Sequence, residues 1–207
     1  MSGTNGKLSG FPSASEGPPP PSDRTPTPAH VAELAASCAR FVLAKYKVPL
    51  DGTSDTLSLV DQYVKEARAE IAVKPETLDL LAATIGAYLG EVMRREFGGV
   101  WFADGDHNAW RLDMTRVFLT FNPLGMAREA LTAEEQDGWH AHLEMDDAEK
   151  EEVERRLFAL EDVDVDEYFL PSTRYDVVAL AVDALRAKMV ADGHGDVTFT
   201  SEDYRKK

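Results

Sequence analysis

LLAATIGAYLGEV, residues 80–92, carries apolar side chains almost all the way round a helix. Such a helix must be covered by neighbours on nearly every side, which makes it the centre of whatever this chain builds. Leu78, Leu81, Ile85, Leu89 and Val92 form its main face, and the helix reads from about Pro75 to the Gly98-Gly99 stop. Ala82, Gly86 and Gly90 recur every four residues and make a row without bulk. Each glycine inside a helix costs roughly 1 kcal/mol against alanine, so close approach of another backbone is the expected compensation.

On the C-terminal side the period changes from 3.6 to 2. Val100 to Ala103, Ala109 to Asp113 and Arg116 to Phe121 read as three short strands of an antiparallel meander. Asn122-Pro123 ends the meander and opens a helix over 123–131 with Asn122 as its cap. On the N-terminal side, Ser54 caps a helix with the stripe Leu57, Val60, Val64, Ala67 and Ile71. Before it, Thr27 as N-cap and Pro28 at the first helical position begin a helix over about 28–46, with Val31, Leu34, Ala35, Cys38, Phe41 and Val42 on one face. Cys38 lies on that apolar stripe with no histidine or asparagine set beside it by a local motif, so it reads as a small core residue.

The first 28 residues hold seven of the eleven prolines, among glycine, serine and threonine. That composition cannot bury enough surface to offset its ordering entropy, so 1–27 reads as a disordered tail. Pro18 to Pro21 suit either a docking ligand for an aromatic groove or an inert spacer. Beyond the meander, Thr132-Ala133-Glu134-Glu135 has the pattern of a capping box, and Asp146 with Glu149 a looser one. Helices are expected from near 133 and from near 147, the second to about Leu160. Ser172 or Thr173 caps a last helix with Val178, Val182, Leu185 and Met189 on one face, ended by Asp192-Gly193, and 196–207 reads as a further strand. The fold class is therefore α+β: N-terminal helices, a short three-stranded antiparallel meander, then C-terminal helices. The division is a tail over 1–27, an α+β core domain over 28–131, and an acidic helical extension packed on the core over 132–207.

Charge is unevenly spread along the 207 residues. The net charge is −15, yet residues 129–167 alone hold sixteen acidic side chains against three basic ones. A surface of that sign argues against nucleic acid and anionic membrane as partners and steers a basic protein partner instead. Within the stretch, Trp139, Glu151, Glu152, Asp162, Asp164 and Asp166 are the expected partner-binding residues. The other reading of the stretch is a solvated acidic face. No apolar run approaches the roughly 20 residues of a membrane span, the start lacks the apolar core of a signal peptide, and cytoplasmic residence is expected.

Local chemical motifs are sparse. No P-loop, dinucleotide glycine fingerprint, nucleophile elbow or H-E-x-x-H is present, and no cofactor is expected. His140 and His142 would lie about 200° apart on a helix and so could not easily share a metal. Asp104, Asp106 and Asn108 imitate the start of a calcium loop but lack its glycine and its closing glutamate. Glu91 stands out instead, a carboxylate on an otherwise apolar helix with Arg94 and Arg95 one turn on. Either Glu91 pairs with Arg95 and closes the helix end, or Glu91, Arg94, Arg95 and Trp101 contact a ligand where the helix of 75–97 meets the meander.

IGAYLGEVMRREFGGVW, residues 85–101, preceded by SLVDQYV over 58–64, resembles an uncharacterised bacterial domain family of unknown function. Its members carry a G-A-Y-L-G-E-V helix, basic residues, then G-G-x-W leading into strands. The resemblance spans roughly 40–130 and implies a bacterial source and a fold like that above, but no activity. The expected function is thus a non-catalytic interaction or regulatory protein, adaptor or immunity-like. The alternative is a small-molecule-binding or enzymatic domain built around Glu91.

Overall fold

The structure is a computed structural model that describes residues 25–158 and 163–205. The tail expected over 1–27, apart from its last three residues, and Asp162 lie outside the described residues. The central helix, α3, spans Leu78–Phe97, and every residue from Leu81 to Met93 is buried. α1 (Ala29–Tyr46) packs along it, as does α4 (Pro123–Thr132). The small-residue row explains the second contact. A Cβ on Gly86 would sit 2.7 Å from the Pro123 carbonyl oxygen, and one on Gly90 would land on the Trp101 ring. Neither neighbour leaves room for a side chain, which is why glycine is worth its helical cost at both sites.

α2 (Leu57–Val73) and α7 (Pro171–Ala191) complete the helical layer. α5 (Asp147–Leu157) leans on α7 through buried Val153, and the four-residue α6 (Val165–Tyr168) leads into α7. Val153, Phe169, Leu170 and Val178 belong to the same continuous core as Ile85, Leu112 and Leu124. Residues beyond 132 are thus built into the core itself. Cys38 is fully buried on the inner face of α1, and burial pushes its thiol up to about 12, as a core residue requires.

The sheet has four antiparallel strands where three were expected. β1 (Gly99–Phe102), β2 (Arg111–Met114) and β3 (Leu119–Phe121) form the meander, and β4 (Glu144–Met145) pairs with β3 through Leu119–Met145 and Thr120–Glu144. Two residues are too few to leave a period-2 signal. One row of the sheet, Trp101, Leu112 and Phe121, is buried; the neighbouring row is Val100, Asp113, Thr120 and Glu144. Asn122 is fully buried and joins two elements. Its Oδ1 accepts from Leu124 N (2.9 Å) and Gly125 N (3.3 Å) to cap α4, while its Nδ2 donates to the His107 carbonyl (2.9 Å).

Three expected element ends are corrected. The pattern at Thr132 does not open a helix but closes α4: Thr132 Oγ1 donates back to the Arg128 carbonyl, and Ala133 takes a left-handed φ of 58°. The segment after it stays irregular up to β4. At the N-terminus Pro28, not Thr27, is the capping residue of α1, because the Thr27 hydroxyl is used elsewhere. At the C-terminus the expected strand is a short helix, α8 (Ser201–Tyr204), closed by a capping box of Thr200 and Asp203. Tyr204 stacks on Phe118, and its hydroxyl accepts from Leu119 N (3.1 Å) and donates to the Met114 carbonyl (2.7 Å). The aromatic side chains there clamp the β2–β3 turn rather than extend the sheet.

Candidate functional site

Glu91 lies on α3 nearly two turns before its end and is 6% exposed. A carboxylate this deep needs donors, and four side chains surround it. Arg94 gives two hydrogen bonds, from Nε at 2.8 Å and Nη2 at 3.1 Å; Trp101 Nε1 donates at 2.8 Å and the Thr27 hydroxyl at 2.9 Å. Arg95 is the outer partner, its Nε 3.8 Å away. The four residues expected together are therefore together, but the close ion pair runs to Arg94, not Arg95. Thr27 is 64 positions away in sequence and left no local signal. The cluster ties three things at one carboxylate: the entry to α1, the end of α3 and the first strand.

Burial pushes the Glu91 carboxyl up, but the hydrogen bonds from Arg94, Trp101 and Thr27 and the Arg94 charge outweigh it and hold it below the usual glutamate range. A carboxyl lowered on folding adds stability above its unfolded value, and loses that contribution as pH falls through the folded value. Glu91→Gln is expected to destabilise the protein at neutral pH and to flatten the fall of stability toward acid. Urea unfolding of both proteins at neutral and acid pH measures this; parallel pH profiles would contradict it.

A groove of about 240 Å³ runs between α1 and α3, floored by Ala32, Ala35, Ala36 and Ala39, with Glu91, Arg95, Tyr88 and Asp51 on its sides. Trp101 and Arg94 do not line it. Gly52, at φ 79°, leaves room for the Arg95 guanidinium, and the Tyr88 hydroxyl accepts the Gly52 N–H at 3.0 Å. The Glu91 carboxylate reaches the groove with both oxygens already engaged, so it is spent on structure and is not a poised base.

The acidic stretch divides into buried and exposed parts. Glu129 is fully buried, paired with Arg174, and also accepts from Gln136 N at 3.3 Å. Trp139 is half-buried, with the Arg128 guanidinium 4.7 Å above its ring. Glu152 pairs with Arg155 and Arg156, and Glu149 with Lys188. Glu151, Glu154, Asp164 and Asp166 are exposed. Asp147, Glu151, Glu154 and Phe158 repeat at helical spacing on the side of α5 away from buried Val153, and Phe158 is 69% exposed.

A polar group on the sheet has no counterpart among the residues expected from the sequence. Asp113 is 1% exposed; its Oδ1 accepts from the Thr120 hydroxyl (2.7 Å) and Arg111 Nε (3.0 Å). Burial pushes its carboxyl up, against the pull of Thr120, Arg111 and Arg205. The Arg-Leu-Asp alternation of β2 is its only local signal, and the cross-strand Thr120 emerges only once the register is known. His140 Nδ1 lies 3.0 Å from Glu144 Oε1, and both side chains are exposed. No protein-family model, curated protein or solved structure matches the chain.

Proposed function

We propose that the protein is a non-catalytic interaction protein, an adaptor or immunity-like regulator of bacterial type, that takes a basic protein partner on the acidic surface of residues 129–167. One observation carries the reading: the outward stripe of α5, where Asp147, Glu151 and Glu154 lead to the exposed ring of Phe158. Carboxylates steer a cationic surface into place, and an aromatic side chain supplies the apolar anchor that gives such a contact lifetime. Glu134, Glu135, Asp137, Asp164 and Asp166 are exposed as well and extend the field of the same sign. Glu91, the residue with most chemical promise in the sequence, is saturated with donors, which supports binding over catalysis.

Capture from an extract of the source cell, with wild type and with Glu151→Lys/Glu154→Lys, tests the reading. The wild type is expected to retain a basic protein at low salt and release it at high salt, and the charge-reversed variant to retain it at least about tenfold less. Retention that is indifferent to both salt and charge reversal would overturn it.

A further inference from the structure

A second cavity, of about 260 Å³, opens over the β2–β3–β4 side of the sheet, lined among others by Asn108, Trp110, Arg111, Thr120, His140 and Glu144. We propose that this cavity binds a small zwitterion of the α-amino acid class, its carboxylate on the Arg111 guanidinium and its ammonium on Glu144. His140 and Glu144 belong to the 129–167 stretch, but the cavity lies outside α5 and its proposed ligand does not depend on the α5 stripe.

The positive wall is preorganised. Arg111 Nε is committed to Asp113, and the guanidinium lies with Cζ 4.2 Å over the Phe102 ring. Stacking and the Nε bond fix the plane of the fork. Among the described residues neither Nη of Arg111 makes a hydrogen bond, so the outer edge is available in the geometry that suits a carboxylate. Behind it, Asp113 Oδ2 is buried without a partner among the described residues, which leaves this network one donor short.

The negative wall is Glu144. The register places Asp113, Thr120 and Glu144 on successive strands, so Glu144 stands about 10 Å from Asp113 at the usual strand spacing. Arg111 and Glu144 both line the cavity, and a guanidinium and a carboxylate in one small cavity suit a ligand that carries both charges, not one. His140 supports the carboxylate: its backbone is held at φ 48° with its carbonyl accepting Asn122 N–H at 2.8 Å, and its Nδ1 lies 3.0 Å from Glu144 Oε1. A left-handed non-glycine residue is costly, and here its effect is to bring the imidazole alongside Glu144. The volume lies just under the range of drug-sized pockets, as a small metabolite requires.

Isothermal titration calorimetry of the full chain with the standard α-amino acids tests the proposal, using the matching amino amide and N-acetyl acid as single-charge controls. At least one amino acid should bind, and loss of either charge on it should weaken binding about tenfold or more. Arg111→Gln and Glu144→Gln should each weaken it by a similar factor. Arg111→Gln deprives buried Asp113 of its ion-pair partner and can unfold the chain; Glu144 is exposed, so Glu144→Gln decides. No binding by any amino acid, equal binding by a single-charge control, or unchanged binding by Glu144→Gln would overturn the proposal.

Discussion

Arg174→Met should cost the fold about 3–5 kcal/mol and lower the melting temperature by about 10 °C. Arg174 is 3% exposed and Glu129 fully buried, and they pair across α7 and α4 with the guanidinium 4.4 Å over the Tyr168 ring and 5.2 Å over Phe169. Methionine fills much of the arginine volume but leaves the Glu129 carboxylate deep in the core with, among the described residues, one backbone donor, Gln136 N–H. The cost is that of an unpaired buried charge, not of a lost contact. The double variant Glu129→Leu/Arg174→Met should recover most of the loss, since an apolar pair of similar volume often replaces a buried ion pair at little cost. Thermal and urea unfolding of wild type, single and double variants separate the two effects. A single variant as stable as wild type would show that the pair is not what joins α7 to α4.

Gly86→Val should be the most damaging change on α3, at about 3 kcal/mol. Its Cβ would stand 2.7 Å from the Pro123 carbonyl and 2.8 Å from Leu124 N, both main-chain atoms at the start of α4 that cannot rotate away. α4 could yield only by moving its N-terminus, which Asn122 holds by the hydrogen bonds of its cap and by the one to His107. Gly138→Ala is the contrast. That glycine, at φ 76°, has nothing among the described residues within 4 Å of the place a Cβ would take, so the penalty is backbone strain, about 1–2 kcal/mol. Unfolding midpoints that rank Gly138→Ala below Gly86→Val would contradict the packing argument.

What could be read from the sequence follows from how local each signal is. Gly86 and the Asn122-Pro123 cap are each legible within a few residues and have the predicted consequence, while at Gly90 the close neighbour is the Trp101 ring and not a backbone. Thr132 misleads because a Thr-x-x-Glu spacing fits the outside of a helix end as well as a helix start; the hydroxyl turns back to the Arg128 carbonyl instead. The tail over 196–207 misleads because Phe199 and Tyr204 have strand propensity, yet their rings pack on Phe118 and the Tyr204 hydroxyl engages the β2–β3 turn. At the candidate site, Glu91 and Arg94 are visible one helical turn apart, and Trp101 ten residues on. Thr27 and the Arg111–Asp113–Thr120 group depend on long-range packing and strand register, for which no short-range pattern exists.

In the proposed reading Glu91 is a carboxylate used for structure, whereas the exposed carboxylates of α5 take the partner. Amide hydrogen exchange of the chain with its captured basic partner bound tests that separation most directly. Slowed exchange in the amides of 147–158, with those lining the α1–α3 groove around Glu91 unchanged, is the predicted result. Protection concentrated at that groove, with 147–158 exchanging as in the free protein, would contradict it.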